Sequence, residues 1–251
     1  MINLINIKSK SEVDLMKIAG RIVYDTHQHL IPYIKPGIKT IELDKIAEDY
    51  ILSRDATPSF KNYDGFPSTL CISINNQVVH GIPGNRKLKE GDIVSIDIGA
   101  CYKGYHGDSA WTYGVGKISK EKQDLMDHTE EALFNGLKAI KPGNRIGDIS
   151  KGVEEIANKY NLGIVKELVG HGVGSVVHED PCIPNYITND KGAILKEGMT
   201  LAIEPMLNLG SSDIYICEDD WTIETEDGSP SAHFEHTVVV TSSGYKILTG
   251  E

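Results

Sequence analysis

Apolar residues recur at intervals of three and four along four stretches of the chain, a spacing that predicts amphipathic helices. The first predicted helix begins near Ser11, because Ser11 and Asp14 have the spacing of a capping box, and the third begins near Ser119. The second and fourth each follow a Pro-Gly pair and open near Thr40 and Ile146. The chain therefore contains two successive pairs of helices.

Runs typical of strands follow each pair of helices. Four of them carry or precede acidic residues: 93–100, 107–113, 199–203 and 234–241. With a loop at 102–103, Asp97 and Asp108 lie directly opposite each other in an antiparallel pair, roughly 5 Å apart at Cβ. Like charges opposed in this way destabilise a hairpin unless a cation lies between them. A turn that includes Gly104 is the alternative, and it would change the register.

The two halves of the chain share a sequence pattern. Ile34-Lys-Pro-Gly37 recurs as Ile140-Lys-Pro-Gly143. The block 89–97 recurs as 196–204, with an acid at the end of each. This repetition favours one α+β domain, residues 1–251, with a pseudo-twofold repeat, central antiparallel strands, outer helices and an active site between the halves. The simpler interpretation is that Lys-Pro-Gly and Lys-Glu-Gly are common turn sequences.

Composition limits the classes of protein and partner. With 40% hydrophobic and 24% charged residues, the 251-residue chain can form a globular protein with a sizeable core. Its net charge of −11 argues against a nucleic-acid partner, which requires a basic surface. We expect neither a signal peptide in residues 1–6 nor a membrane span, because no apolar run is long enough. Four widely spaced cysteines suit reduced thiols, and we expect a cytoplasmic protein.

Five residues in or beside strand-like or glycine-rich sequence are candidate metal ligands: Asp97, Asp108, His171, Glu204 and Glu235. Four carboxylates and an imidazole buried together without cations would repel one another and lose their hydration. Two divalent ions between them would remove that cost and create a catalyst for hydrolysis. Oxygen-rich ligands with one nitrogen suit Mn²⁺, Fe²⁺ or Co²⁺ better than a structural Zn²⁺. Any one of these acids, taken alone, is better explained as a solvent-facing strand residue.

Eight short stretches form a set of motifs that is far more specific than any one of them. They are Cys71-Ile-Ser-Ile-Asn75, His80-Gly-Ile-Pro83, Ile96-Asp-Ile-Gly99, Gly104-Tyr-His-Gly-Asp108, Gly170-His-Gly-Val-Gly174, His178-Glu-Asp-Pro181, Ala202-Ile-Glu-Pro205 and Glu235-His-Thr237. Through this set the chain resembles type I methionine aminopeptidases, in their minimal bacterial form, over essentially its whole length. The resemblance implies the fold called pita-bread.

The resemblance implies a metalloaminopeptidase that removes the initiator methionine from new proteins whose second residue is small. Two metal ions would activate a water that attacks the first peptide bond, with Asp108 and Glu235 bridging the ions and Glu204 accepting the proton. His178 would stabilise the oxyanion at the substrate carbonyl, and His80 would contact the amide beyond the scissile bond. All five candidate ligands keep that role in the resemblance.

The resemblance also implies an apolar pocket for the methionine side chain. Phe60 stands where some relatives have a smaller residue, and Val177 where some have an aromatic one, which leaves the pocket's shape open. His233 stands where relatives often carry Gln. By strand parity it shares a face with Glu235, although a surface or core histidine is the simpler interpretation. The pocket residues implied are Phe60, Tyr63, Phe66, Cys71 and Trp221.

The implied cofactors are two divalent cations per chain, and Co²⁺, Mn²⁺, Fe²⁺ and Zn²⁺ all remain open. A monovalent cation near Asn75 and Ser231 is a further expectation from the resemblance. The expected partners are amino termini of peptides and nascent polypeptides that begin with methionine. Contact with the ribosome stays open, and a monomer is the default.

Two alternatives remain. A peptidase of the same fold that acts on proline-containing ends would share the five ligands, but such relatives usually carry a large amino-terminal domain. A binding protein that has lost hydrolysis would typically lose ligands, whereas all five and both further histidines are present here. Cleavage of Met-Ala peptides, of Xaa-Pro peptides or of neither separates the three functions.

Overall fold

The computed structural model of the protein describes residues 5–251. The expectation that residues 1–6 are not a signal peptide falls mostly on residues 1–4, which lie outside the described residues. Within residues 5–251, no helix is long and apolar enough to cross a membrane.

Two helices followed by strands occur twice along the described chain. The helices are α1 (Lys10–Leu30), α2 (Thr40–Leu52), α3 (Lys120–Leu137) and α4 (Ile146–Lys159), with 3₁₀ turns at Ile31–Tyr33 and Tyr63–Gly65. The strands of the first half are β1 (Thr57–Pro58), β2 (Leu70–Ile74), β3 (Gln77–Val79), β4 (Ile93–Tyr102) and β5 (Tyr105–Gly114). Those of the second half are β6 (Gly163–Ile164), β7 (Gly170–Gly172), β8 (Glu179–Ile183), β9 (Thr200–Ile203), β10 (Met206–Asn208), β11 (Ile214–Ile216), β12 (Ile223–Thr225), β13 (Ser231–His233), β14 (His236–Thr241) and β15 (Gly244–Ile247).

Side-chain caps decide where the helices begin. The Ser9 hydroxyl accepts from the Glu12 N–H at the start of α1, and the Glu12 carboxylate accepts from the Ser9 N–H at 2.7 Å. The predicted start near Ser11, with Asp14 as its partner, is therefore wrong by two residues, since a capping box uses the longer Glu or Gln side chain. The predicted start of α3 is confirmed, because Ser119 is its N-cap.

The hairpin of β4 and β5 has a different register from the predicted one. Its turn consists of Lys103 and Gly104, both with positive φ (49° and 82°), as a two-residue type I′ turn requires. Asp97 consequently pairs with Ala110 rather than with Asp108. The prediction of directly opposed aspartates is wrong, but a shift of two residues preserves the face, so both side chains lie on the same side of the sheet.

The two halves repeat the same contacts, as a pseudo-twofold fold requires. In the first half the Gly37 N–H donates to Leu88 O at 2.8 Å, and in the second the Gly143 N–H donates to Leu195 O at 3.1 Å. Both glycines have positive φ, 97° and 93°, which glycine adopts without steric penalty. The predicted α+β architecture with an internal repeat is confirmed.

Each half has its own apolar core, with helices packed outside the strands. The first core joins α1 and α2 to β2 and β4 through buried side chains such as Leu43 and Ile96. The second joins α3 and α4 to β9 and β14 through buried side chains such as Leu133 and Leu201. Helix positions are therefore set by burial of one apolar face against the central strands.

The halves meet where β5 lies against the start of β14 and the residue before it. The Glu235 N–H donates to Ala110 O at 2.8 Å. The Thr237 hydroxyl accepts from the Asp108 N–H at 3.1 Å and lies 2.8 Å from the Asp108 carbonyl, to which it donates. These bonds hold the backbones of two candidate metal ligands, one from each half, at the same junction.

Candidate active site

A cavity of about 180 Å³ lies between the two halves. All twelve residues that the sequence analysis assigned to metal binding, catalysis or the methionine pocket line it, together with Asp64. Its wall combines five acids and three histidines with four aromatic side chains and one cysteine. Acid–base chemistry and an apolar surface are thus brought into one space by residues from both halves of the chain.

Asp97 and Asp108 reach the cavity from the β4–β5 hairpin. Burial, reinforced by the neighbouring Asp108 charge, raises the pKa of Asp97 well above its usual range. Burial also raises the pKa of Asp108 to about 7, against the opposing effect of a hydrogen bond with Asp97. Without a cation, the pair of carboxyls therefore still holds a proton at a pH at which exposed aspartates have already released theirs.

Glu204 and Glu235 come from the second half. Glu204 directly follows β9. The predicted strand 234–241 begins two residues later than expected, as β14, so Glu235 lies in the break between β13 and β14. The break arises because the Glu235 backbone bonds to β5 instead, its carbonyl accepting from Ser109 Oγ at 2.7 Å. Burial, followed by the charge of Asp108, raises the pKa of both glutamates well above the usual range.

His171 enters the cavity from β7, which lies between β8 and β9. Glycine beside it allows this close approach, because a Cβ on Gly170 would collide with Ala202 O. His171 Nδ1 lies 2.9 Å from Gly172 O, and since a carbonyl only accepts, Nδ1 is assigned the proton and Nε2 the lone pair. Burial lowers the pKa of His171 to about 3, so the ring is neutral at pH 7 and the lone pair of Nε2 can coordinate a metal ion.

The donor atoms fit divalent cations. Ligand atoms of Asp108, His171 and Glu235 all lie within 4.8 Å of one another. One buried carboxyl oxygen in each of Asp97, Asp108 and Glu235 has no hydrogen-bond partner, which is costly unless a cation satisfies it. Glu204 adjoins the group through Oε1, which lies 3.4 Å from His171 Nε2. The structure therefore brings together all five residues that the sequence analysis named as ligands.

Two further histidines line the cavity. The His178 ring lies 4.3 Å from that of His171, edge to face, and His178 Nδ1 lies 3.1 Å from the Tyr63 hydroxyl. His80 follows β3 with φ of 58°, an uncommon backbone conformation for a residue other than glycine. Burial lowers the pKa of His178, and it lowers the pKa of His80 to about 4. Both rings are neutral at pH 7 and can each donate one N–H.

Aromatic side chains form the apolar wall. Phe66 and Trp221 pack edge to face with centroids 5.1 Å apart. Phe60 fits because residue 99 is glycine: a Cβ on Gly99 would lie 2.7 Å from Phe60 Cε1. Val177 belongs to the same apolar cluster but is buried and does not line the cavity. The large Phe60 therefore shapes the pocket surface while the smaller Val177 packs behind it.

His233 lies against the site, which the simpler interpretation of the sequence missed. Its Nε2 is buried without a hydrogen-bond partner, 3.5 Å from Glu204 Oε2. Burial lowers the pKa of His233 to about 3, so the ring is neutral. The signal available in the sequence was its parity with Glu235. The sequence analysis also missed Asp64, which lines the cavity from the 3₁₀ turn Tyr63–Gly65. No pattern in the sequence pointed to this residue.

Comparison with known proteins agrees with this geometry. A family model described as metallopeptidase family M24 matches residues 14–242. The chain belongs to this M24 family. Its members are metallopeptidases, in keeping with the cluster of metal-type donors. The M24 chain is similar to "Methionine aminopeptidase 1" of Bacillus subtilis (strain 168), with 52% identity over 242 residues that cover 96% of this chain and 98% of the relative.

Solved structures support the same relationship. The M24 chain is similar to methionine aminopeptidase from Thermotoga maritima, with a TM-score of 0.96, 43% identity, and coverage of 99% of this chain and 100% of that one. It also resembles prolidase from Pyrococcus furiosus, with a TM-score of 0.80 and 26% identity over 98% of this chain and 65% of that one. The expected pita-bread fold is confirmed.

Proposed function

We propose that this M24 chain is a metalloaminopeptidase that removes the amino-terminal methionine from peptides and nascent polypeptides. The observation that carries the proposal is that the carboxylate–histidine cluster and an apolar wall line the same cavity. Cluster and wall adjoin through the register of β2 and β4, which pairs Cys71 with Asp97. A methionine side chain against Phe60, Phe66 and Trp221 therefore brings the first peptide bond to the cluster. The similarity to methionine aminopeptidases supports the same reaction.

The proposed ligands of two divalent cations are Asp97, Asp108, His171, Glu204 and Glu235. The unpartnered oxygens of Asp97, Asp108 and Glu235 and the neutral nitrogen of His171 support this assignment. When bound, such cations supply Lewis acidity and lower the pKa of water. The carboxylate-rich set suits Mn²⁺, Fe²⁺ or Co²⁺ better than a structural Zn²⁺, and a catalytic Zn²⁺ remains a candidate. Elemental analysis of protein purified without added metal identifies the ion that the cell supplies.

Glu204 is the proposed acceptor of the proton from water. It is only partly buried, whereas Asp108 and Glu235 are fully buried, so of these three carboxylates it is the most accessible to a water molecule. His178 is the proposed donor to the substrate carbonyl: when the Tyr63 hydroxyl donates to Nδ1, the proton of the neutral ring is on Nε2 and is free for that oxygen.

The geometry also supports a proposal for specificity. The free amino group of a chain end would be a ligand for one of the proposed cations, which favours an amino terminus over an internal peptide bond. His80 is the proposed contact for the amide beyond the scissile bond. The cavity, about 180 Å³, is small for a ligand site, and we propose that it admits only small second residues beside methionine. Tyr63 and Cys71 complete the proposed substrate-binding residues.

We propose a monovalent cation near Asn75 and Ser231 on one observation. The side-chain oxygen of Asn208, which pairs in register with Ser231, is buried without a partner. The side-chain oxygen of Asn75 is engaged already, because it accepts from Lys122 Nζ at 2.8 Å. Thermal unfolding in K⁺ and in tetramethylammonium, compared at constant ionic strength, tests the site. If K⁺ binds there, the unfolding midpoint should be higher in K⁺.

The setting that we propose is a monomer in the cytoplasm that meets nascent chains, with the ribosome as a candidate contact. All four cysteines are free, which suits a reducing compartment. With a net charge of −11, any ribosome contact is expected to involve ribosomal proteins rather than RNA. Light scattering tests the monomer, and co-sedimentation with ribosomes tests the contact.

Hydrolysis by metal-free protein, with Mn²⁺, Fe²⁺ or Co²⁺ restored anaerobically, tests the proposed reaction. We expect metal-dependent release of methionine from Met-Ala-Ser and no cleavage of Xaa-Pro peptides. Asp108→Asn is the matched control, because it keeps the side-chain shape and removes a proposed ligand charge. Cleavage of Xaa-Pro alone would transfer the assignment to a proline-specific peptidase. No cleavage by folded, metal-loaded protein would leave a binding protein.

A further inference from the structure

His233 is held against Glu204 by backbone pairing that no local sequence signal encodes. β10 begins at Met206, two residues after Glu204, and Met206 pairs with His233 at the end of β13. The hydroxyl of Thr112 accepts from the His233 N–H at 3.0 Å and donates to the His233 carbonyl at 2.8 Å. The base of the His233 side chain is therefore fixed from two directions.

The two carboxylate oxygens of Glu204 contact different imidazoles. Oε1 lies 3.4 Å from His171 Nε2, and Oε2 lies 3.5 Å from His233 Nε2. The proton of the neutral His171 ring is on Nδ1, which donates to Gly172 O, so His171 Nε2 has no hydrogen to give to Glu204. Of these two nitrogens, His233 Nε2 is consequently the one that can donate a hydrogen bond to the carboxylate.

His233 Nε2 is a buried polar atom without a hydrogen-bond partner. Such atoms are uncommon in native structures, and each calls for an explanation. The 3.5 Å separation from Glu204 Oε2 is longer than a normal N–H···O hydrogen bond of roughly 2.9 Å. Hydrogen bonds of this kind are often long in unloaded sites and shorten when the site is filled.

We propose that His233 is a positioning residue whose Nε2–H donates to Glu204 Oε2 and leaves Oε1 for the metal ions and the attacking water. The inference rests on the proposed function, because it assigns Glu204 to the metal site. Donors behind a ligand fix its orientation, and their loss typically costs about 10–100-fold in metal affinity or activity.

The test compares His233→Gln with His233→Asn in the full-length protein. Both variants replace the ring by a polar amide, but the amide of Gln reaches about as far as Nε2, whereas that of Asn is one carbon shorter. Titration calorimetry with Mn²⁺ on metal-free protein measures affinity. Steady-state kinetics on Met-Ala-Ser at saturating Mn²⁺ measure kcat and KM, and urea midpoints show whether the two variants are equally folded.

We expect His233→Gln to stay within about threefold of wild type in affinity and kcat, and His233→Asn to lose about tenfold or more in both, with KM little changed. Equal behaviour of the two variants would overturn the proposal. So would a ¹⁵N NMR shift, measured on wild type loaded with diamagnetic Zn²⁺, that shows Nε2 of His233 without a proton; this measurement requires no variant to fold. A wild-type protein that binds no Mn²⁺ would instead overturn the proposed function, and this inference with it.

Discussion

Removal of the metal ions should make the stability of this protein fall as the pH rises through neutrality. The reason is the buried carboxyl cluster, in which Asp108 has a pKa of about 7 against 3.8 for an exposed aspartate. A raised pKa means that the folded protein holds a proton that the unfolded chain has released. This contribution to stability is complete below the unfolded pKa and is lost as the pH rises through the folded value.

Buried histidines act in the opposite direction but over a lower range. Burial lowers the pKa of His80 to about 4, and of His171 and His233 to about 3, against 6.5 for an exposed ring. The unfolded chain therefore binds protons that the folded protein excludes, and this penalty is falling at about pH 6.5 and has disappeared by about pH 7.5. Above that pH the carboxyl groups alone determine the slope among these residues.

The expected magnitude follows from proton linkage. Each proton retained only in the folded state lowers the free energy of unfolding by about 1.4 kcal/mol per pH unit. Between roughly pH 6.5 and 8, Asp108 alone accounts for about 1 kcal/mol, given its pKa of about 7. A carboxyl that keeps its proton across this range adds about 2 kcal/mol. The residual titration of the three histidines over this range offsets about 1 kcal/mol, which is the contribution of Asp108. Asp97, Glu204 and Glu235 all have pKa values well above the usual range, so the protons that they retain determine the net fall.

Urea unfolding in the presence of a chelator measures this effect. Wild type and Asp108→Asn are compared across the same pH range, because Asn keeps the shape of the side chain and removes one of the opposed charges. The variant should be more stable than wild type at the upper end of the range and should have a shallower slope. Excess Mn²⁺ should abolish the slope in wild type. A flat or rising free energy of unfolding in metal-free wild type would refute the reasoning.

Three further outcomes follow from individual contacts. His178→Ala should lower kcat by about 10²–10³ while calorimetry finds unchanged metal affinity, since His178 is not a proposed ligand; a parallel loss of metal would contradict its role. Lys8→Met should lower the free energy of unfolding in urea by about 3 kcal/mol, because it leaves the buried Glu179 carboxylate without its cation; adding Glu179→Gln should recover part of it. Gly170→Ala should destabilise by about 2 kcal/mol or more, because its Cβ meets Ala202 O, and an unchanged urea midpoint would contradict the packing.

Much of the fold was predictable because it depends on local signals. Pro-Gly pairs and apolar spacing located α2 and α4, and the repeated Lys-Glu-Gly blocks predicted the pseudo-twofold arrangement that the paired contacts of Gly37 and Gly143 confirm. The start of α1 was misplaced because two serines, Ser9 and Ser11, both have an acid three residues later, and only the longer Glu12 side chain closes the box.

The candidate ligands could be named from the sequence alone, since acids and a histidine beside apolar strands require compensation when they are buried. The sequence could not decide how they meet. The relative position of Asp97 and Asp108 depends on the strand register, which is set by a turn that includes Lys103 with positive φ. Glu235 lies in a strand break created by bonds to β5.

Tertiary pairing also decided that His233 lies beside Glu204. The sequence determined residue types, and strand parity predicted that His233 shares a face with Glu235. Only the pairing of Met206 with His233 brought Nε2 within 3.5 Å of the carboxylate. Helices and turns arise from interactions between near neighbours, which a sequence displays. A site built across two halves depends on the register between strands that are far apart in the sequence. Local sequence patterns are compatible with more than one register, and only the folded backbone selects one of them.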